Sequence, residues 1–212
     1  CDCAGNVLDE CGECAGDGLS CLASLSLGAF DSDGTLEVLY NFGSDVAGFQ
    51  FDVSGLALAG GSGGAAGDAG FDVQTGGGTV LGFSFAGGTV PAGSGVLTVL
   101  SFTDVTAGTT ELTLGNFGAV TGPDGSVFDV STSGSIDHGD QDCAGTYYGD
   151  SWASDCGCVD ADNSGDDCDD CAGTPNGDAL IDDCGVCNGD GWSCVETSVD
   201  VAYDSDVAIA GF

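Results

Sequence analysis

The sequence predicts an all-β fold: a sandwich of short antiparallel strands carrying irregular, disulfide-rich arms. Three observations lead there. Through residues 22–136 apolar residues alternate with small or polar ones, with Gly-rich punctuation about every 8–12 residues. The thirteen cysteines all lie outside that stretch, five within 1–21 and eight within 143–194. Forty Gly against three Pro favour turns and close backbone packing over helix.

The strand candidates, in order, are Leu25, Leu27 and Ala29; Leu36, Val38, Tyr40 and Phe42; Phe49, Phe51 and Val53; Leu81, Phe83 and Phe85; Leu112 and Leu114; and Val127 with Asp129 opposite. Their apolar members fall at every second position, the period of a half-buried strand, and are the expected core. No segment has a helical period, and residues 60–70 read as a glycine-alanine loop.

The Cys-rich stretches are copies of one unit. The clearest has Cys171-Ala-Gly, Gly177-Asp178, Asp183-Cys184-Gly-Val-Cys187 and Asn188-Gly-Asp190-Gly-Trp192-Ser-Cys194. The copy before it has Cys143-Ala-Gly, Gly149-Asp150 and Asp155-Cys156-Gly-Cys158, followed by Cys168. The N-terminal copy is partial, with Cys1, Cys3-Ala-Gly, Glu10-Cys11-Gly-Glu-Cys14 and Asp17-Gly-Leu-Ser-Cys21. Fixed Cys and Asp positions at a near-constant period mark a linear array. Each copy is too short to bury a core, so staples and metal are expected to replace one. The domains are therefore 1–21 (partial repeat), 22–136 (sandwich), 137–195 (two repeats) and 196–212.

The last segment resembles an earlier one. Asp200-Val-Ala-Tyr203 through Ala210-Gly-Phe212 aligns without gaps on residues 37–49. It reads as the first strand of a following sandwich, as a strand donated to a neighbouring subunit, or as an edge strand of this chain. The first two give head-to-tail partnership between copies or adjacent repeats. The chain opens on Cys1 without a signal peptide, as a mature product or an excerpt would.

Charge excludes several functions. With 35 acidic residues and no Lys or Arg, the formal net charge is -35. Nothing can neutralise a phosphate, which excludes nucleic acid and anionic membranes as partners. Self-repulsion on this scale opposes compaction, so bound cations are expected. No apolar run is long enough for a membrane-spanning helix, and the cysteine content implies an oxidising, extracellular or cell-surface location.

Calcium is the expected cofactor. In Asp160-Ala-Asp162-Asn-Ser164-Gly165-Asp166-Asp167, oxygens alternate and Gly stands sixth, as in the first half of a calcium loop. The closing Glu is absent, because Cys171 occupies that place, so the last ligands fall to Asp167, Asp169, Asp170 or a neighbouring unit. Secondary candidates are Asp178, Asp182, Asp183, Asn188 and Asp190; Asp150 and Asp155; and Asp9, Glu10 and Asp17. At the junction with the sandwich stand Asp137, Asp140 and Asp142, where a metal would set the angle between the two parts.

The Cys-x-x-Cys steps at 11–14 and 184–187 have zinc-ribbon spacing, but clustered hard oxygens and a single histidine favour disulfides and calcium. Cys1 is expected to bond outside its own unit. His138, in Ile-Asp-His-Gly-Asp, reads as a surface turn with no nucleophile constellation around it. Trp152 and Trp192 are expected to cover disulfides. With no cation to stabilise developing negative charge, no enzyme is expected.

Two resemblances add to this. Val46-Ala-Gly-Phe-Gln-Phe-Asp-Val53, Gly95-Val-Leu-Thr-Val-Leu-Ser-Phe102 and Leu112-Thr-Leu-Gly-Asn-Phe-Gly-Ala-Val-Thr-Gly-Pro-Asp-Gly125 resemble bacterial cohesin-like domains. That resemblance implies a jelly-roll sandwich of about nine strands, in a family with receptors for dockerin modules and carbohydrate-binding relatives. The usual Tyr-Asp-Pro after the second strand is Ser54-Gly55-Leu56 here, so dockerin binding is not carried over. The stretch from Cys184 to Cys194 is similar to thrombospondin type 3 repeats, which implies calcium binding in a rigid connector. Together they imply a repeat of an extracellular filament, surface layer or adhesin, or else a module binding a protein or glycan.

Overall fold

The computed structural model describes residues 1, 5–196, 200, 204 and 206–207. Cys3 and nearly all of the strand expected at 199–212 lie outside the described residues. The chain divides into two compact units, Cys1–Gly149 and Asp150–Phe212.

The first unit is a jelly-roll β-sandwich. Its strands are β1 (Leu22–Asp31), β2 (Thr35–Phe42), β3 (Gly48–Val53), β4 (Leu56–Ser62), β5 (Asp72–Gly76), β6 (Thr79–Phe83), β7 (Gly93–Val105), β8 (Thr109–Thr113), β9 (Ala119–Thr121), β10 (Asp129–Ser133) and β11 (Ser135–Asp137). One sheet runs β10-β1-β2-β7-β4; the other runs β11-β8-β3-β6-β5, with β9 also on β3. Neighbours are antiparallel except β1 and β10, which pair in parallel.

The core lies between the sheets. Leu25, Leu36, Val38, Phe42 and Leu100 meet Phe49, Phe51, Val53, Val80, Leu112 and Val120, all buried. Period-two alternation produces this directly, since each strand turns every second side chain inward.

Three expectations are corrected. The apolar positions named on and after β6 are not the core: Leu81 on β6 and Phe85 just beyond it are exposed, and Val80 is buried. A Cβ at Gly82 would stand 2.1 Å from Phe49 Cζ, so the Phe49 ring fills the inward place that a side chain at 82 would take. Val127 is likewise exposed, and Phe128 is the buried residue there. Residues 60–70 are not a plain loop: β4 runs to Ser62 and a short helix, α1 (Gly64–Asp68), follows. Ala66 of α1 is fully buried, and Gly64, at φ 61°, comes so close to Leu97 that a Cβ would stand 2.6 Å from its carbonyl oxygen.

Among its described residues the second unit has little regular structure, with one hairpin of β12 (Trp152–Ser154) and β13 (Gly157–Val159). Leu180, Ile181 and Trp192 are largely exposed. Staples and turns hold it instead of a core.

Candidate functional site

The repeated residues build one turn four times. It begins on Asp9, Asp142, Asp170 and Asp182, each of which takes backbone N–H groups onto its carboxylate. At Asp182, Oδ1 accepts from Cys184 at 2.9 Å and Val186 at 2.8 Å, and Oδ2 from Gly191 at 2.9 Å. Asp170 accepts in the same way from Ala172, Thr174 and Ala179. Asp9 takes Glu13 and Gly18, and Asp142 takes Ala144 and Thr146.

Two later positions complete the turn. Six residues on, Ala15, Tyr148, Asn176 and Asn188 lie in the left-handed region at φ 53–58°. One further residue on, a Cβ at Gly16, Gly149, Gly177 or Gly189 would stand 2.0–2.1 Å from the Asp Oδ2, so only glycine fits. These bonds hold the carboxyls of Asp9, Asp170 and Asp182 below the ordinary 3.8, led by the amides of Glu13, Thr174 and Val186 respectively.

Every described cysteine is in a disulfide. Disulfides join Cys1–Cys14, Cys11–Cys21, Cys156–Cys168, Cys171–Cys187 and Cys184–Cys194, with Cα separations of 5.1–5.5 Å. Cys143 and Cys158 are bonded as well. The two members of each Cys-x-x-Cys step go to different partners, which removes the zinc-ribbon reading. Cys1 is stapled inside its own repeat and does not reach beyond it, because the chain doubles back through the Asp9 turn.

The expected metal ligands separate into groups. Asp9, Asp142, Asp170 and Asp182 are the turn acceptors. Asp17, Asp137 and Asp190 each accept an N–H two residues on, from Leu19, Gly139 and Trp192. Asp140, Asp160, Asp162, Asp178 and Asp183 are exposed, and Asn188 is the left-handed residue of its turn. Asp167 accepts from the Asn163 amide at 2.8 Å.

Ser164 and Asp166 come together with Ser154, Asp155 and Asp169 around a cleft of about 160 Å³ walled by Trp152. Burial, then the charges of Asp166, Asp155 and Asp170, push the Asp169 carboxyl above 3.8. The donor set is all hard oxygen, the kind calcium prefers. Among the described residues, no three carboxylates have oxygens within 4.8 Å of one another; the cluster meeting that distance is Cys156, Cys168 and Asp169, whose two sulfurs are bonded to each other. Trp152 lies against Gly165, where a Cβ would stand 2.7 Å from its ring, and Trp192 is 72% exposed.

His138 is not a surface turn. It is 5% exposed, with Nε2 2.8 Å from Thr110 Oγ1 and Nδ1 2.7 Å from the Tyr148 hydroxyl. Phe30 lies 5.0 Å away, ring to ring. Burial lowers its pKa below 6.5, with Asp137 opposing. The junction between sandwich and first C-terminal turn is thus made by an aromatic knot, in which the strained left-handed residue is Tyr148 itself.

The outer face of the β8-β3-β6-β5 sheet carries a feature that sequence periodicity hid. Leu81 is partly bare, and Phe85 and Phe117 are 89% and 85% exposed. Phe83 and Phe85 meet edge to face at 4.8 Å. The Gln50 amide donates to the Phe117 carbonyl at 3.2 Å, tying that loop to β3.

Among solved structures, the chain is similar to a non-cellulosomal cohesin from the archaeon Archaeoglobus fulgidus, at 18% identity and TM-score 0.40, over 54% of this chain and 89% of that one. It is also similar to a chain of a type I cohesin–dockerin complex from Clostridium thermocellum, at 14% identity and TM-score 0.40, over 55% of this chain and 98% of that one. No family model and no curated protein matches the sequence.

Proposed function

We propose that this chain is a secreted, non-catalytic structural segment, in which a β-sandwich is carried between disulfide-stapled, calcium-responsive connectors that join it to copies of itself or to adjacent repeats. The observation that carries this is the recurrence of one Asp-centred, glycine-dependent turn on both sides of the sandwich, with disulfides fastening the arms. Such a unit resists extension without a hydrophobic core. Calcium is supported by the hard-oxygen donors of Asp155, Ser164, Asp166 and Asp169 around one cleft, where neighbouring carboxylates add to burial in raising the Asp169 carboxyl. Ser164 and Asp166 would hold the ion with Asp155 and Asp169. The single histidine supports a structural role, since both its ring nitrogens are engaged by hydroxyls.

The test is limited proteolysis of the native chain with calcium and with chelator, alongside electron micrographs of the secreted material. Chelation is expected to open the arms while residues 22–136 stay resistant. Unchanged resistance throughout removes calcium from the account, and monomeric particles under all conditions remove the assembly.

A second reading is favoured by the bare aromatic residues Phe85, just after β6, and Phe117, just before β9: the sandwich docks a protein or glycan there. Apolar surface of this kind marks interaction sites, and a chain of charge -35 calls for a partner that brings its own cations. Loss of binding in a Phe85→Ser, Phe117→Ser double variant that keeps its fold would support it.

A further inference from the structure

The array holds the chain's two Asn-Gly pairs, Asn176-Gly177 and Asn188-Gly189, and both occupy the same place in the turn. Their chemistry is general. The backbone nitrogen of the glycine, once deprotonated, attacks the asparagine Cγ. A C–N bond forms, the side-chain amide leaves as ammonia, and water then opens the cyclic imide to aspartate or isoaspartate. Glycine offers no side chain to hinder the attack.

The turn makes this pair hard to avoid. Its left-handed position suits Asn or Gly, and the next residue must be glycine because a Cβ would strike Asp170 or Asp182. Yet the folded turn withholds the attacking group. The Gly177 N–H donates to the Thr174 carbonyl at 3.0 Å and the Gly189 N–H to Val186 at 3.2 Å. On the other side, the Asn176 and Asn188 N–H groups donate to Cys168 and Leu180, both at 2.9 Å. With φ fixed at 53° and 54°, each asparagine is held on both sides.

Beside the Asp170 and Asp182 carboxylates, disulfides close these turns. The Cys171–Cys187 loop encloses Asn176, and the Cys184–Cys194 loop encloses Asn188. Little apolar burial assists them: Leu180, Ile181, Val186 and Trp192 all stand exposed. We propose that Asn176 and Asn188 are latent modification sites, silent while their staples are closed and converted to aspartate or isoaspartate once an external thiol has reduced those staples to free cysteines and is itself oxidised to a disulfide. The isoaspartate product lengthens the backbone inside the turn, so the Asp-to-Gly spacing no longer fits and the conversion is one-way.

The test incubates the intact chain at neutral pH, either native or reduced and alkylated, each with and without calcium. Peptide mapping by mass then follows both pairs, with Asn116, which precedes Phe117, as internal reference. Reduction is expected to speed conversion at both pairs by about tenfold or more, the scale of a local opening that the fold had suppressed. In the Cys184→Ser, Cys194→Ser variant Asn188 is expected to convert fast while Asn176 keeps its native rate. Equal rates in native and reduced chains overturn the proposal. So does acceleration that ignores which staple was cut, or protection by calcium that survives full reduction.

Discussion

The sandwich and the Cys-rich array stabilise the same acidic chain by opposite means. The sandwich buries Phe51, Val38, Leu36, Val80 and Val120 completely, and residues 22–142 contain no cysteine. The array leaves most of its large apolar side chains in water and fixes its backbone with carboxylates and disulfides. In the sandwich the acids sit outside and are tolerated. In the array they are the scaffold, because a carboxylate satisfies two or three N–H groups that no strand partner reaches.

The largest expected effect separates the two. Reduction removes staples that contribute about 2–4 kcal/mol each, and should abolish amide protection across 156–194 while strands β1–β8 keep theirs. Hydrogen exchange with mass spectrometry reads both in one sample. Cooperative loss of the sandwich as well would sink the idea of independent stabilisation. The reciprocal cut is Phe51→Ala, which should cost the sandwich about 3–5 kcal/mol and lower its melting temperature, leaving protection around Asp170 and Asp182 unchanged.

Much of the sandwich was legible because period two is a direct consequence of strand geometry. The error on β6 arose where the inward residue is Gly82, which carries no hydrophobic signal; the outward Leu81 and Phe83 then mimicked a core face. The array's repeat was equally visible, but not its use. An aspartate that accepts backbone N–H groups and one that binds a metal have the same letter. The mark of the turn acceptor is the glycine seven residues on, at 16, 149, 177 and 189, where a Cβ would strike the carboxylate. His138 was misjudged because its partners, Thr110 and Tyr148, lie 28 residues upstream and 10 downstream, beyond any local pattern.

Acid should distinguish the knot from the turns. Burial lowers the folded pKa of His138, so the released ring takes a proton first. The stability it contributes is complete above about 6.5 and declines as pH falls through that value towards the lowered one. The carboxyls of Asp170 and Asp182 are also lowered, but from 3.8, so their contribution is complete above that value and is lost only below it. Exchange at 139–148 should therefore rise between pH 7 and 5, after correction for intrinsic rates, while the Asp170 and Asp182 turns stay protected. The His138→Gln variant should lose the first transition and keep the second. A single transition shared by both regions would contradict the division.

The smallest effect probes the turn alone. Three of its left-handed positions are filled with evident reason: Asn176 and Asn188 tolerate positive φ, and Tyr148 is held there by His138. Ala15, at φ 56°, has neither advantage, and a left-handed alanine costs about 1 kcal/mol or more. Ala15→Asn should recover part of that, about 0.5 kcal/mol, raising the midpoint for unfolding of the N-terminal arm and leaving the sandwich transition in place. Ala15→Gly should gain less, because the unfolded chain becomes more flexible as well. The asparagine variant also creates a third Asn-Gly pair, before Gly16 and inside the Cys11–Cys21 loop. Its slow deamidation in the native chain and rapid deamidation after reduction would show that the turn geometry, and not the local sequence, governs both stability and chemical lifetime.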